Sequence, residues 1–211
     1  MYRQIPNLIT LGRLLLTALF FAVIDWPVQV RQFPMFMWMA LAVFILATAS
    51  DALDGYLARS WKVESVFGRV VDPFADKILI CGAFVFFSMP NFLPGHLLLP
   101  AAARSYSATG VHPWMAVLLI AREFLVTGLR GLAESRGIDF RALWTGKAKM
   151  VLQSLAVGSI LLYLALVTTP RLQGLAAGLA ILRDLLIGLT IAVTLLSAGQ
   201  YIFRAWRVIE T

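Results

Sequence analysis

Long uncharged, apolar runs dominate this chain. They occupy residues 14–24, 32–50, 78–103, 105–121, 150–170 and 185–203. A membrane-crossing helix needs roughly 20 mainly apolar residues. The first run reaches that length when Asn7 to Arg13 are included, and the fourth when the residues after Arg122 are. The pattern predicts six transmembrane helices, near 7–25, 34–58, 73–90, 112–133, 146–168 and 183–204. Six such helices use up most of 211 residues, so the expected fold is an all-α membrane protein with one integral-membrane domain over residues 1–211.

Charge sets the expected orientation. Arg3, Arg59, Lys62, Arg69, Arg136, Arg141, Lys147, Lys149, Arg204 and Arg207 fall on one set of helix ends and loops, against Arg31, Arg104 and Arg171 on the other. By the positive-inside rule both termini face the cytoplasm. Topology and attraction to anionic membrane lipids explain the net charge of +7. Nucleic acid is a poor partner for basic residues spread over short membrane loops. The lone Cys81 lies in an apolar run and reads as a small buried hydrophobe. The first run is too long, and too polar at its start, for a cleavable signal segment. A bacterial plasma (inner) membrane is the simplest location.

Acidic residues change the picture. Four of the seven Asp fall between Asp51 and Asp76, in a chain that is 60% hydrophobic. Carboxylates near hydrocarbon are costly and point to function. Four close together repel one another unless a cation lies between them, and hard cations such as Mg²⁺ or Mn²⁺ prefer oxygen ligands. Asp51 and Asp54 share a helix face, as do Asp72 and Asp76. Asp72-Pro73 reads as a helix cap followed by proline at the first helical position. Gly55 and Ala58 leave room for a bulky ligand against the helix.

The whole stretch reads Asp51-x2-Asp54-Gly55-x2-Ala58-Arg59-x8-Gly68-x3-Asp72-x3-Asp76. In this it resembles the CDP-alcohol phosphotransferase family, whose motif is matched without a departure. The resemblance implies transfer of a phosphatidyl or similar group from a CDP-linked donor to an alcohol, with release of CMP. It implies two metal ions, Mg²⁺ or Mn²⁺, held by Asp51, Asp54, Asp72 and Asp76, with Asp76 as the catalytic base. It also implies that Gly55, Ala58, Arg59 and Gly68 form the surface for the cytidine diphosphate.

Polar residues in other runs extend the site. Asn7, Thr10 and Arg13 recur at steps of three and roughly share a face of the first helix. Arg13 either snorkels to the interface or reaches the donor phosphates with Asn7, and the N-x2-T-x2-R pattern also resembles the family's first helix. Arg122 and Arg130, eight apart, lie close to one face of the fourth helix. Arg122 either pairs with Glu123 or helps form an anionic-acceptor pocket, for which the planar guanidinium fork is suited. Lys147 and Lys149 open the fifth helix, either as cytoplasmic anchors or as further acceptor-phosphate ligands, with Lys149 and Gln153 four apart on one face. Ala121-Arg122-Glu123, Arg130 and Gly146-Lys147-x-Lys149-x3-Gln153 resemble the branch that uses glycerol 3-phosphate, the phosphatidylglycerophosphate synthases.

That resemblance implies CDP-diacylglycerol and glycerol 3-phosphate as substrates. The alternatives are another acceptor (phosphatidylglycerol, inositol phosphate or serine), a cation-binding transporter, or an inactive scaffold. A transporter would carry acids near the bilayer midplane, whereas these lie at cytoplasmic helix ends. A homodimer is one option for the assembly. Residues 91–111 form a long outer connection carrying His96, with His112 following it, and Arg183-Asp184 reads as an outer-interface feature at the start of the last helix. Trp26, Trp38, Trp114 and Trp206 fit interfacial belts. Phe20, Phe21, Phe84, Phe86 and Phe87 fit lipid contact or packing.

Overall fold

In a computed structural model the described backbone covers residues 5–26, 32–61, 66–89, 108–136, 144–169 and 171–209. These form six long α-helices: α1 (Ile5–Asp25), α2 (Phe33–Trp61), α3 (Val66–Ser88), α4 (Pro113–Ser135), α5 (Trp144–Val167) and α6 (Ala176–Ile209). A 3-10 turn, Gln173–Leu175, precedes α6. There is no strand among the described residues. The stretches Phe33–Ser50, Trp144–Val167 and Ala176–Trp206 are long and apolar enough to cross a membrane, and Lys77–Ser88 is a shorter apolar segment.

The helices close into a ring in the order α1, α2, α5, α6, α4, α3, with α3 also touching α5 across the middle. Buried positions on α2 recur at Phe33, Met37, Ala40, Phe44 and Ala47, steps of four and three that keep one stripe inward. Small residues such as Ala40, Ala47, Ala83, Ala156 and Ala165 lie fully buried and let the backbones approach closely. Phe20, Phe84 and Phe87 are packing residues with no exposure. Phe21 stacks on Phe86 at 5.5 Å and meets Phe20 edge-on at 5.4 Å.

The outside is apolar as well. Leu15, Val117, Phe124, Ile181 and Leu196 are all more than 60% exposed. Apolar surface spread around every helix suits a lipid surround. The polar residues go inward instead: Arg13, Thr17, Arg122, Lys149, Gln153, Thr190, Thr194 and Ser197 are buried. Several hydroxyls bond back to their own helix, as Thr17 does to the Arg13 carbonyl at 2.9 Å and Thr48 to that of Phe44 at 2.9 Å. Trp26, Trp38, Trp114 and Trp206 are exposed, as interfacial anchors should be, and Trp144 joins them.

Two helix boundaries differ from the sequence reading. Helix α3 begins at Val66, so Asp72 and Pro73 lie inside it and Asp72 is no N-cap. Pro73 lacks an N–H, so the Arg69 carbonyl one turn earlier receives no helical hydrogen bond from it. Helix α6 starts at Ala176, two turns before Arg183. Charge did not end the helix, because this arginine is fully accommodated. Arg183 pairs with Asp184 at 2.8 Å, donates to the Ala108 carbonyl, and lies 4.3 Å over the Tyr163 ring. Thr109 donates to the Phe87 carbonyl at 2.8 Å, which fastens the same corner to α3. Gly110 has φ of 75°, and a Cβ there would lie 2.9 Å from Asp184 Oδ1.

This corner should act as a clamp far from the motif helices' ends. Arg183→Ala leaves the Ala108 carbonyl without its donor and should cost about 2 kcal/mol. That corresponds to a fall of roughly 4–8 °C in melting temperature. Gly110→Ala, forced into a left-handed conformation, should cost about 1–2 kcal/mol. Thermal unfolding of the detergent-solubilised chain measures both, and unchanged melting in the two variants would dismiss the clamp.

Candidate functional site

A cavity of about 380 Å³ opens between five of the helices. It is bordered by Ala47 and Thr48 of α2, Lys77 to Cys81 of α3, Arg122 to Arg130 of α4, Gly146 to Ser154 of α5 and Tyr201 of α6. These come from the middle of α2 and α3, the C-terminal halves of α4 and α6 and the N-terminal half of α5. Along α6 the cavity, at Tyr201, lies 18 residues from the Arg183 clamp, so the two sit toward opposite poles of the bundle. Helical spacing does the local work. Arg122, Val126 and Arg130 stand at steps of four, and Gly146, Met150 and Gln153 at steps of four and three.

The lining is cationic. Lys77, Arg122, Arg130 and Lys147 border the cavity against one carboxylate, Glu123, among the described residues. Glu123 forms an ion pair with Lys149 and accepts from Arg122 Nη1 at 3.4 Å. Arg122 Nε donates to Ser197 Oγ at 3.2 Å, and Ser197 Oγ donates to the Thr194 carbonyl at 3.0 Å. Arg130 Nη2 donates to Tyr201 Oη at 2.6 Å. Lys77 Nζ donates to Thr127 Oγ1, whose hydroxyl bonds back to the Glu123 carbonyl at 2.7 Å. Arg130 Nε and Gln153 Nε2 are buried donors without a hydrogen-bond partner. Such groups are normally satisfied, so orphaned ones beside a cavity suit a ligand or water.

The structure brings Arg122, Arg130 and Lys147 together around one cavity. Lys149 is 2% exposed and lies behind the wall, bound to Glu123 rather than bordering the space. Its four-residue partner Gln153 is also buried, so the shared inward face holds. Arg13 is 2% exposed inside the bundle, which rules out snorkelling. Cys81 is half-buried on the cavity wall and not a core hydrophobe, because α3 turns this face to the cavity. His112 borders a separate space at the opposite pole with Arg183 and Asp184.

Asn7 and Thr10 lie in α1, Asp51, Asp54, Gly55, Ala58 and Arg59 in α2, and Gly68, Asp72 and Asp76 in α3, but their side chains lie outside the described residues. His96 lies outside them altogether. Backbone register still relates the motif to the cavity. Asp51 comes three and four residues after the lining residues Thr48 and Ala47, and Asp76 comes three and four before Leu79 and Ile80. The acidic positions thus continue the two wall faces by one helical turn. Sequence reading assigned no role to Lys77, Ser197 or Tyr201. A signal existed: Thr190, Thr194, Ser197 and Tyr201 recur at steps of four, three and four, one polar stripe inside an uncharged run.

A family model described as CDP-alcohol phosphatidyltransferase matches residues 3–196. A Bacillus subtilis protein named "CDP-diacylglycerol--glycerol-3-phosphate 3-phosphatidyltransferase" is 29% identical, over 99% of this chain and 98% of its own length. A Cereibacter sphaeroides protein of the same name is 33% identical, over 82% of this chain and 68% of its own. An Escherichia coli protein of that name is 31% identical, over 75% and 76%.

The ion pair behind the wall generates a stability prediction. Glu123→Gln leaves Lys149 buried without its counter-charge, and Lys149→Met leaves Glu123 with Arg122 alone. Each should destabilise the chain, and the double variant should recover part of the loss. A coupling of about 1–3 kcal/mol is expected for charges in contact. A double-mutant cycle on thermal unfolding in detergent gives that coupling, and strictly additive effects would mean the pair does not form.

Proposed function

The chain belongs to the CDP-alcohol phosphatidyltransferase family, and from that premise we propose that it transfers the phosphatidyl group of CDP-diacylglycerol to glycerol 3-phosphate. The products are CMP and phosphatidylglycerol phosphate. One observation carries the choice of acceptor: a cavity bordered by four cationic side chains adjoins, by helix register, the acidic motif. An acceptor that is a small dianion suits such a lining, and the three relatives are named for this same acceptor.

The chemistry follows from the residues. Arg122, Arg130 and Lys147 bind the acceptor phosphate, with the guanidiniums offering paired donors. Lys149 supports the same subsite from behind by holding Glu123. Asp76 takes the proton from the glycerol hydroxyl as that oxygen attacks phosphorus. Asn7, Thr10, Arg13, Gly55, Ala58, Arg59 and Gly68 hold the CDP part of the donor. The four carboxylates of Asp51, Asp54, Asp72 and Asp76, on two helices that border one cavity, are a donor set of hard oxygens suited to two Mg²⁺ or Mn²⁺ ions. Such ions, when bound, neutralise the donor's pyrophosphate and stabilise the leaving CMP.

All six helices cross the bilayer in this reading, with both termini and the acidic motif at the cytoplasmic face of a bacterial plasma membrane. The lipid tails of the donor stay in the bilayer while its head enters the cavity from the side. CMP release by purified protein given CDP-diacylglycerol, Mg²⁺ and a panel of acceptors tests the assignment. Glycerol 3-phosphate should be preferred. Preference for inositol phosphate, serine, phosphatidylglycerol or an uncharged alcohol would overturn the acceptor and leave the family standing.

Two predictions follow from the division of labour. Asp51→Asn, Asp54→Asn and Asp72→Asn should each abolish CMP release, as should EDTA on the unaltered chain, whereas Asp76→Asn should retain donor binding and lose turnover. Full activity in metal-free protein would remove the ions from the mechanism. Arg122→Ala and Arg130→Ala should raise the acceptor KM while leaving the donor KM nearly unchanged. Loss of a charged phosphate contact costs about 1.5–3 kcal/mol, or roughly 10- to 150-fold in affinity. Arg13→Ala and Arg59→Ala should show the opposite pattern.

A further inference from the structure

We propose that α6 sets the acceptor subsite: Ser197 and Tyr201 are positioning residues that hold the guanidiniums of Arg122 and Arg130 toward the cavity. The inference rests on the reading of that cavity as the acceptor-phosphate site and adds the helix that makes it rigid. Ser197 and Tyr201 are four residues apart on one face of α6, and neither has any exposure. They stand in an uncharged, mainly apolar run, 185–203, and as buried polar groups each needs a hydrogen-bond partner.

Each residue is oriented for its arginine. The Ser197 hydroxyl gives its proton to the Thr194 carbonyl at 3.0 Å, which leaves its oxygen free to accept from Arg122 Nε at 3.2 Å. Tyr201 Oη accepts from Arg130 Nη2 at 2.6 Å. The Tyr201 ring also lies 5.4 Å from the Arg130 guanidinium carbon and 5.7 Å from that of Arg122. One buried aromatic ring thus serves two cations that would otherwise repel each other. Glu123 offsets Arg122 further from the opposite side. Arg130 Nε stays buried and unpartnered, and it is a donor available to an anion in the cavity.

The physical gain is preorganisation. A free arginine side chain loses much rotamer freedom when it clamps a phosphate, and a side chain already fixed loses little. A Cβ at Gly146 would lie 3.5 Å from Tyr201 Oη, ordinary van der Waals contact, so α5 packs directly beside the tyrosine. Thr145 donates to Gln200 at 2.8 Å, which ties the start of α5 to α6 beside Tyr201.

Steady-state kinetics of the full chain with CDP-diacylglycerol, Mg²⁺ and glycerol 3-phosphate test this, with inorganic phosphate as a competing probe of the subsite. Tyr201→Phe removes only the hydroxyl. It should raise the acceptor KM about tenfold, the loss of one hydrogen bond to a charged group. Inhibition by inorganic phosphate should weaken in parallel, and the donor KM should stay within about twofold. Ser197→Ala should move the same quantities in the same direction through Arg122. Tyr201→Leu, which also removes the ring, should be worse than Tyr201→Phe. The proposal falls if Tyr201→Phe and Ser197→Ala leave the acceptor KM unchanged, or shift both KM values equally, as residues that merely keep the fold would. Arg130→Ala separates the two readings. If it leaves the acceptor KM unchanged, the acceptor assignment of the cavity fails and takes the α6 role with it. If it raises that KM while Tyr201→Phe does not, the α6 role alone fails.

Discussion

A charge inside an apolar bundle must be met by a counter-charge or a ligand, and Glu123 is where this chain meets that constraint. Its carboxylate pairs with Lys149 of α5 and with Arg122 of its own helix. Removing one member of a buried pair is far costlier than the pair's net worth, because the survivor is left uncompensated. With Glu123 engaged by Lys149 and Arg122, the cavity retains an excess of cations: Lys77, Arg130 and Lys147 border it with no second carboxylate among the described residues. That excess makes the gap between the helices suited to an anion. The same contacts knit the pole together, since Lys77 reaches α4 through Thr127, and Arg122 and Arg130 reach α6 through Ser197 and Tyr201.

The bundle also divides its polar groups between two poles with different tasks. At one, cations face open space. At the other, the Arg183 guanidinium is occupied by Asp184, the Ala108 carbonyl and the Tyr163 ring. Chemistry on a lipid donor and a soluble acceptor belongs at an interface, where tails and head can each keep their own solvent. A polar cavity between helices with apolar outer faces, and a closed polar corner at the far pole, meet that requirement.

Much of this was legible in the chain, for reasons particular residues make plain. Six apolar runs correspond to six long helices, three of which carry stretches long and apolar enough to cross a membrane. The pair Arg122 and Arg130 was readable as one face, since eight residues are close to two turns and a charge at depth has to face inward. Other features misled. Asp72-Pro73 looks like a helix start, but α3 begins a turn and a half earlier and absorbs the proline. Lys149 looks equivalent to Lys147, yet one is buried behind the wall and the other borders the cavity, a difference of two helix positions that spacing alone does not rank. The charged pair Arg183-Asp184, just before the uncharged run 185–203, looked like the start of α6, although a paired arginine can sit two turns inside a helix.

The sequence by itself determined the class of fold, the acidic motif with its family, and the sign of charge around the acceptor. Those depend on run length, fixed spacing and residue type, all of which are local. Only the tertiary structure decided which faces meet. In a bundle surrounded by lipid the outward side is as apolar as the inward side, so hydropathy cannot tell Phe84, fully buried, from Phe124, which is 75% exposed. The ring order of the helices, the capture of Glu123 by Lys149 and the bracing of two arginines by α6 all depend on contacts between residues far apart in the chain, 75 positions for Arg122 and Ser197 and more than 80 between α2 and α5. No local pattern encodes such contacts, because they exist only once the helices have packed.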